Sequence, residues 1–86
     1  MVAWPEWWHW ELELTPHLDR RMAERGIDEL TLRAMLHTAK GWHPVELPGR
    51  YAIVAMHKRS DWRIIVEPDP IDRVLVVVTA YRVEVP

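Results

Sequence analysis

Eighty-six residues, 49% hydrophobic and 28% charged, hold one ordinary globular domain and no more. Without cysteine there is neither a disulfide nor a thiolate metal site, which fits a cytoplasmic location. No apolar run approaches the ~20 residues of a membrane span and no secretory signal is visible, while a formal charge of -2 excludes a global pull toward nucleic acid and leaves only a local patch to bind a polyanion.

In chain order, residues 1–6 read as a loose lead-in containing Pro5. Trp8, Trp10, Leu12 and Leu14 then alternate with Trp7, His9, Glu11 and Glu13, which predicts a half-buried strand with the first set facing the core. Thr15-Pro16 starts a helix, as N-cap and first helical residue, and Gly26 ends it after Arg25. Asp28 caps a second helix, with Ile27 and Leu32 stapled around the cap and Leu32, Met35, Leu36 and Ala39 as its apolar stripe; Gly41 stops it.

From there the pattern is β. Trp42 to Leu47 reads as a short strand, demoted to an edge by Pro44, and Pro48-Gly49 is a turn. Arg50 to His57 alternates as a strand, and residues 58–61 form a polar turn. Trp62 to Glu67 is the next strand, and Pro68-Asp69-Pro70 the next turn. Arg73 to Val83 is the longest strand, and its Leu-Val-Val-Val run predicts a central position covered on both sides. The expectation is an α+β domain of order β-α-α-β-β-β-β, with both helices on one face of a twisted antiparallel sheet.

Two groups of residues could carry chemistry. His17, Arg21 and Arg25 recur every four positions, so at roughly 100° per residue they share one side of the first helix. An imidazole beside two guanidiniums can bind a phosphate and exchange its proton. The alternative is that the arginines pair with Asp19, Glu24 or Glu29 and that His17 merely occupies the first turn. In the strands, Arg50, His57, Arg63, Thr79 and Tyr81 are polar; Thr79 interrupts an apolar strand, and Tyr81, two residues on, shares its face. Against a functional role, Thr is a good strand former and Tyr81 lies near a strand end.

Trp4, Trp7, Trp8 and Trp10 could stack nucleobases, or could simply fill the core of a small domain; Trp7, on the polar side of its strand, is the one expected to be exposed, where it could mark a homodimer contact. The five histidines show no metal-ligand spacing, so neither a metal nor another cofactor is expected. No glycine-rich phosphate loop or nucleophile elbow is present.

The stretch from His17 to Ile27 reads H-x3-R-M-x2-R-G-I, and it is followed by an Asp-capped helix, Gly49-Arg50 and a strand with Val77-Val78-Thr79-Ala80-Tyr81. This succession, over about residues 11–83, resembles the bacterial family called domain of unknown function 4258, grouped with the RelE/ParE-like toxins in the barnase, EndoU, colicin and RelE-like fold. The resemblance implies a RelE-like fold and a toxin-like, metal-independent endoribonuclease, with RNA as substrate and a cognate antitoxin as partner. Carried over by position, it implies His17 as acid/base, Arg21, Arg25 and Arg50 as phosphate binders, and Thr79 and Tyr81 as orienting groups or a second proton carrier. A non-catalytic interaction module, with the arginine-bearing helix meeting an acidic partner, is the other reading.

Overall fold

In a computed structural model that describes residues 2–84, a 3-10 turn rather than a strand opens the chain. Glu6–His9 form this turn, closed by Trp8 N–H to the Pro5 carbonyl at 3.0 Å and Trp10 N–H to the Trp7 carbonyl at 3.1 Å. Only Glu11–Leu14 (β1) of the expected strand is extended. The reason lies in its neighbour, because β1 pairs with a strand that begins at Val74, opposite Glu11. Among the described residues no strand lies beside the chain before Glu11 to complete a ladder.

The lead-in is also less loose than expected. Trp4 stacks on Trp8 with ring centroids 4.1 Å apart, and the Trp42 indole N–H donates to the Ala3 carbonyl at 3.0 Å. Trp7 is half-buried rather than exposed, packed against Trp42 and Tyr51 at centroid distances of 5.6 and 5.0 Å. Met1 lies outside the described residues.

Pro16–Glu24 (α1) and Glu29–His37 (α2) are the two expected helices. Thr15 Oγ1 accepts the Leu18 N–H and Asp28 Oδ1 accepts the Thr31 N–H, so each helix begins on the cap read from the sequence. α1 ends in a Schellman motif. Ile27 N–H bonds the Met22 carbonyl at 3.0 Å, Gly26 N–H bonds the Ala23 carbonyl at 3.4 Å, and Gly26 adopts φ +74°. Met22 and Ile27, brought together by that turn, are both buried. α2 stops at His37, earlier than Gly41, which instead begins a strand.

The remaining strands are Gly41–Pro44 (β2), Tyr51–His57 (β3), Ser60–Asp69 (β4) and Val74–Arg82 (β5). β2 is shorter than its expected span to Leu47, because the chain turns at once: Arg50 N–H bonds the Leu47 carbonyl and Val45 N–H the Arg50 carbonyl. Between β3 and β4 the turn is just Lys58-Arg59, both at positive φ (49° and 66°), with His57 and Ser60 paired. β4 takes in Pro68 and Asp69 of the proline turn expected at residues 68–70. Pro68 is tolerated because β3 pairs no further than Val66, leaving a free edge beside it. The turn follows instead at residues 70–73, held by Asp69 Oδ1, which accepts the N–H groups of Ile71 and Asp72.

The sheet order is β1-β5-β4-β3-β2. The four later strands are antiparallel neighbours as expected, but β1 joins β5 in parallel, so the sheet is mixed rather than purely antiparallel. The two helices carry the chain from β1 to the far edge at β2, and the meander then returns it until β5 lies beside β1. The central strand is therefore β4, not β5.

The core lies on one face of the sheet. Leu18, Met22, Leu32, Met35 and Leu36 from the helices meet Ile53, Ala55, Trp62, Ile64, Val66, Leu75, Val77 and Ala80. On the opposite face Val54, Val76 and Val78 are only half-buried, so the apolar run of β5 is not covered on both sides. Both helices pack on the same side, α1 against β5 and α2 against β3. Among the described residues no helix is long and apolar enough to cross a membrane.

Candidate functional site

A β-bulge decides where the polar residues of β5 point. Ile65 pairs with Thr79 but Val66 pairs with Val77, which leaves Val78 as the extra residue. The bulge reverses the alternation. Val77 and Ala80 both face the helices and are fully buried, while Thr79 and Tyr81 turn to the open face. Tyr81 is 39% exposed there.

β1 covers the edge of β5 only as far as Val77, opposite Leu14. Beyond that point no strand among the described residues lies beside the β5 edge, and α1 supplies the missing partner. Arg25, the C-cap of α1, reaches round the edge; its Nη1 donates to the Ala80 carbonyl at 2.8 Å and to Thr79 Oγ1 at 3.3 Å. The guanidinium thus satisfies an edge carbonyl and leaves its other donors at the same spot.

Around this contact lies a hollow of about 450 Å3 lined by Glu24, Arg25, Trp62, Tyr81, Arg82 and Glu84. Arg63 is the register partner of Tyr81 and stands beside it on the open face, with Nη1 bonded to the Trp62 carbonyl at 3.0 Å. Arg25 and Arg82 thus line the same hollow as Tyr81, and Arg63 is its cross-strand neighbour. Glu24 and Glu84 oppose them, and Arg82 lies 3.5 Å from Glu84.

Of the residues singled out from the sequence, Arg25, Thr79 and Tyr81 come together here. Arg21 is one helical turn back and pairs with Glu24 at 3.0 Å. His17 is exposed on the first turn of α1. Two turns of helix, about 12 Å of rise, separate it from Arg25. Arg50 is remote. It pairs with Glu67 at 2.9 Å, and Glu67 lies opposite Val76, so roughly 15 Å of strand separates that level from Tyr81.

Arg82 had no signal of its own in the sequence, and Arg63 was only one polar strand residue among several. What brings them to Tyr81 is strand register, which depends on the bulge. Among the described residues no group of three or more His, Asp or Glu side chains could hold a metal ion. No family model, no curated protein and no solved structure matches this chain.

Proposed function

We propose that the protein is a toxin-like, metal-independent endoribonuclease that binds the RNA backbone where α1 meets the free edge of β5. The observation that carries this reading is the hollow that Tyr81 shares with Arg25 and Arg82, with Arg63 as the cross-strand neighbour of Tyr81. Such chemistry requires a 2′-hydroxyl to attack the adjacent phosphate, a group to take its proton, a group to protonate the leaving oxygen, and cations to hold the developing charge. Guanidiniums suit that last task because their forked donors match phosphate oxygens. Tyr81, beside the cations, is the proton carrier at the phosphate, and His17, two turns of α1 before Arg25, meets the RNA backbone farther along. Arg21 extends the cationic side of α1 between them. Its ion pair with Glu24 is exposed, worth about 0–1 kcal/mol, and yields readily to a phosphate.

The test is cleavage of single-stranded RNA by purified protein in the presence of a chelator. The reading expects 2′,3′-cyclic or 3′-phosphate ends, and loss of cleavage in Tyr81→Phe, His17→Ala or Arg21→Ala. Undiminished cleavage in all three variants would overturn the site, and no cleavage by the parent chain would overturn the activity. A toxin-like role also calls for a cognate antitoxin.

A non-catalytic interaction module is the second reading, supported by the sheet face that carries no helix among the described residues. Val54, Val76 and Val78 are half-buried there, and Met56 is exposed. A second copy of the chain seated on that face would appear as a concentration-dependent size in solution. Harmless expression in a bacterial host, together with such a dimer, would favour this reading over the first.

A further inference from the structure

Well away from Tyr81, a second hollow of about 230 Å3 opens between the N-terminal 3-10 turn and α2. Trp8 and Trp10 form one wall. Leu12 and Leu75, which are register partners, form the floor. The other wall is α2, through Arg33, Leu36 and His37, whose spacing places all three on one helix face. The lining is thus apolar below and cationic at the α2 rim.

Arg33 is not consumed by its own helix. Its Nε bonds Glu29 at 2.9 Å, and the contact is exposed and engages a single nitrogen of the fork. Arg73 Cζ lies 5.6 Å from the centre of the Trp10 ring, and its Nη2 lies 3.7 Å from Glu6 in an exposed pair. His37 is exposed at the rim.

We propose that this cleft binds a small aromatic carboxylate. The ring of such a ligand packs between the two tryptophans and the leucines, and its carboxylate meets Arg33 and His37 at the mouth. Size and charge both argue for this class. The hollow is below the roughly 300–1,000 Å3 of drug-sized sites, so one ring with a short acidic arm fills it. A neutral ring leaves the remaining nitrogens of the Arg33 fork without an acceptor, and a cationic ligand gains nothing from them. The assignment stands independently of the ribonuclease reading, because none of its residues belongs to the Tyr81 site.

The experiment is a titration of the full chain with cinnamate, read on the indole N–H signals of the six tryptophans by NMR. Cinnamyl alcohol, the same ring without the charge, and adenosine monophosphate serve as comparison ligands. Cinnamate is expected to move the Trp8 and Trp10 signals saturably while Trp62, toward the other end of the sheet, stays still. Arg33→Gln, a change at an exposed position that leaves the fold intact, is expected to weaken binding about tenfold or more, and the alcohol to bind correspondingly worse. Any of four results overturns the proposal: no saturable shift, equal affinity for the alcohol, undiminished binding by the variant, or binding of the nucleotide in place of cinnamate.

Discussion

Arg25 and Ala80 lie 55 residues apart in sequence, yet Nη1 of the first donates to the carbonyl oxygen of the second at 2.8 Å. This bond closes the stretch of β5 that β1 leaves uncovered. It also fixes the end of α1 against the strand that carries Thr79 and Tyr81. Much of the helix motif has a structural duty of this kind. Met22 is core, Gly26 takes the left-handed turn, Ile27 seals the Schellman motif, and Arg25 pins the helix. His17 and Arg21 have no comparable duty, which is why they remain candidates for function.

Replacing Arg25 with Ala should remove a charge-assisted bond and leave the Ala80 carbonyl to water. A loss of about 1–2 kcal/mol is expected, seen as a lower urea midpoint at unchanged slope. An unchanged midpoint would mean that the contact does not hold α1 in place.

Gly26→Ala should cost about 1 kcal/mol. The cause is conformational, since φ is +74° and a Cβ there meets nothing within 4 Å. Gly26→Asn should cost less, because Asn tolerates this region better. Equal losses in the two variants would point to some cause other than backbone strain. Thermal denaturation of both makes the comparison.

The Lys58-Arg59 turn offers the opposite sign. Both residues sit at positive φ in a two-residue hairpin, where Gly is favoured at the second place. Arg59→Gly should therefore stabilise the fold by about 0.5–1 kcal/mol, raising the denaturation midpoint. A lower midpoint would show that the Arg59 side chain contributes more than its strained backbone costs.

Asp28 gives a pH dependence. Hydrogen bonds from the backbone N–H and side chain of Thr31 hold its carboxyl below the ordinary range. Folding thus favours the ionised form. The stabilisation is present above the unfolded-state value and is lost as pH falls through the lower folded-state value. Asn keeps the cap without the titration. The melting temperature of Asp28→Asn should therefore approach that of the parent as the solution is made acidic. A gap between the two that stays constant across the acid range would contradict this.

His17→Ala and Tyr81→Phe separate activity from stability. Both residues are exposed, so neither change should shift the melting temperature appreciably. If the ribonuclease reading holds, Tyr81→Phe removes the proton carrier and lowers RNA cleavage by about 10²–10⁴-fold, while His17→Ala lowers it through weaker RNA binding. A drop in cleavage that merely tracks unfolding would deny both residues a role in cleavage.

The local features were legible from the chain because each depends on near neighbours. Thr15 and Asp28 bond backbone groups three residues on, Gly26 responds to its own backbone angle, and the β2–β5 meander follows from short connections. Tertiary structure alone decided the features that require a partner from elsewhere. Trp7 to Trp10 alternate like a strand but have no strand to pair with, so they coil into a turn and fill the core edge. β1 runs parallel to β5 because the helices and the meander return the chain to it. The bulge at Val78 turns Thr79 and Tyr81 to the open face and sets Arg63 beside Tyr81. Periodicity records which side of its own element a residue faces; which residue it meets depends on register between distant strands, and a single inserted residue reverses that.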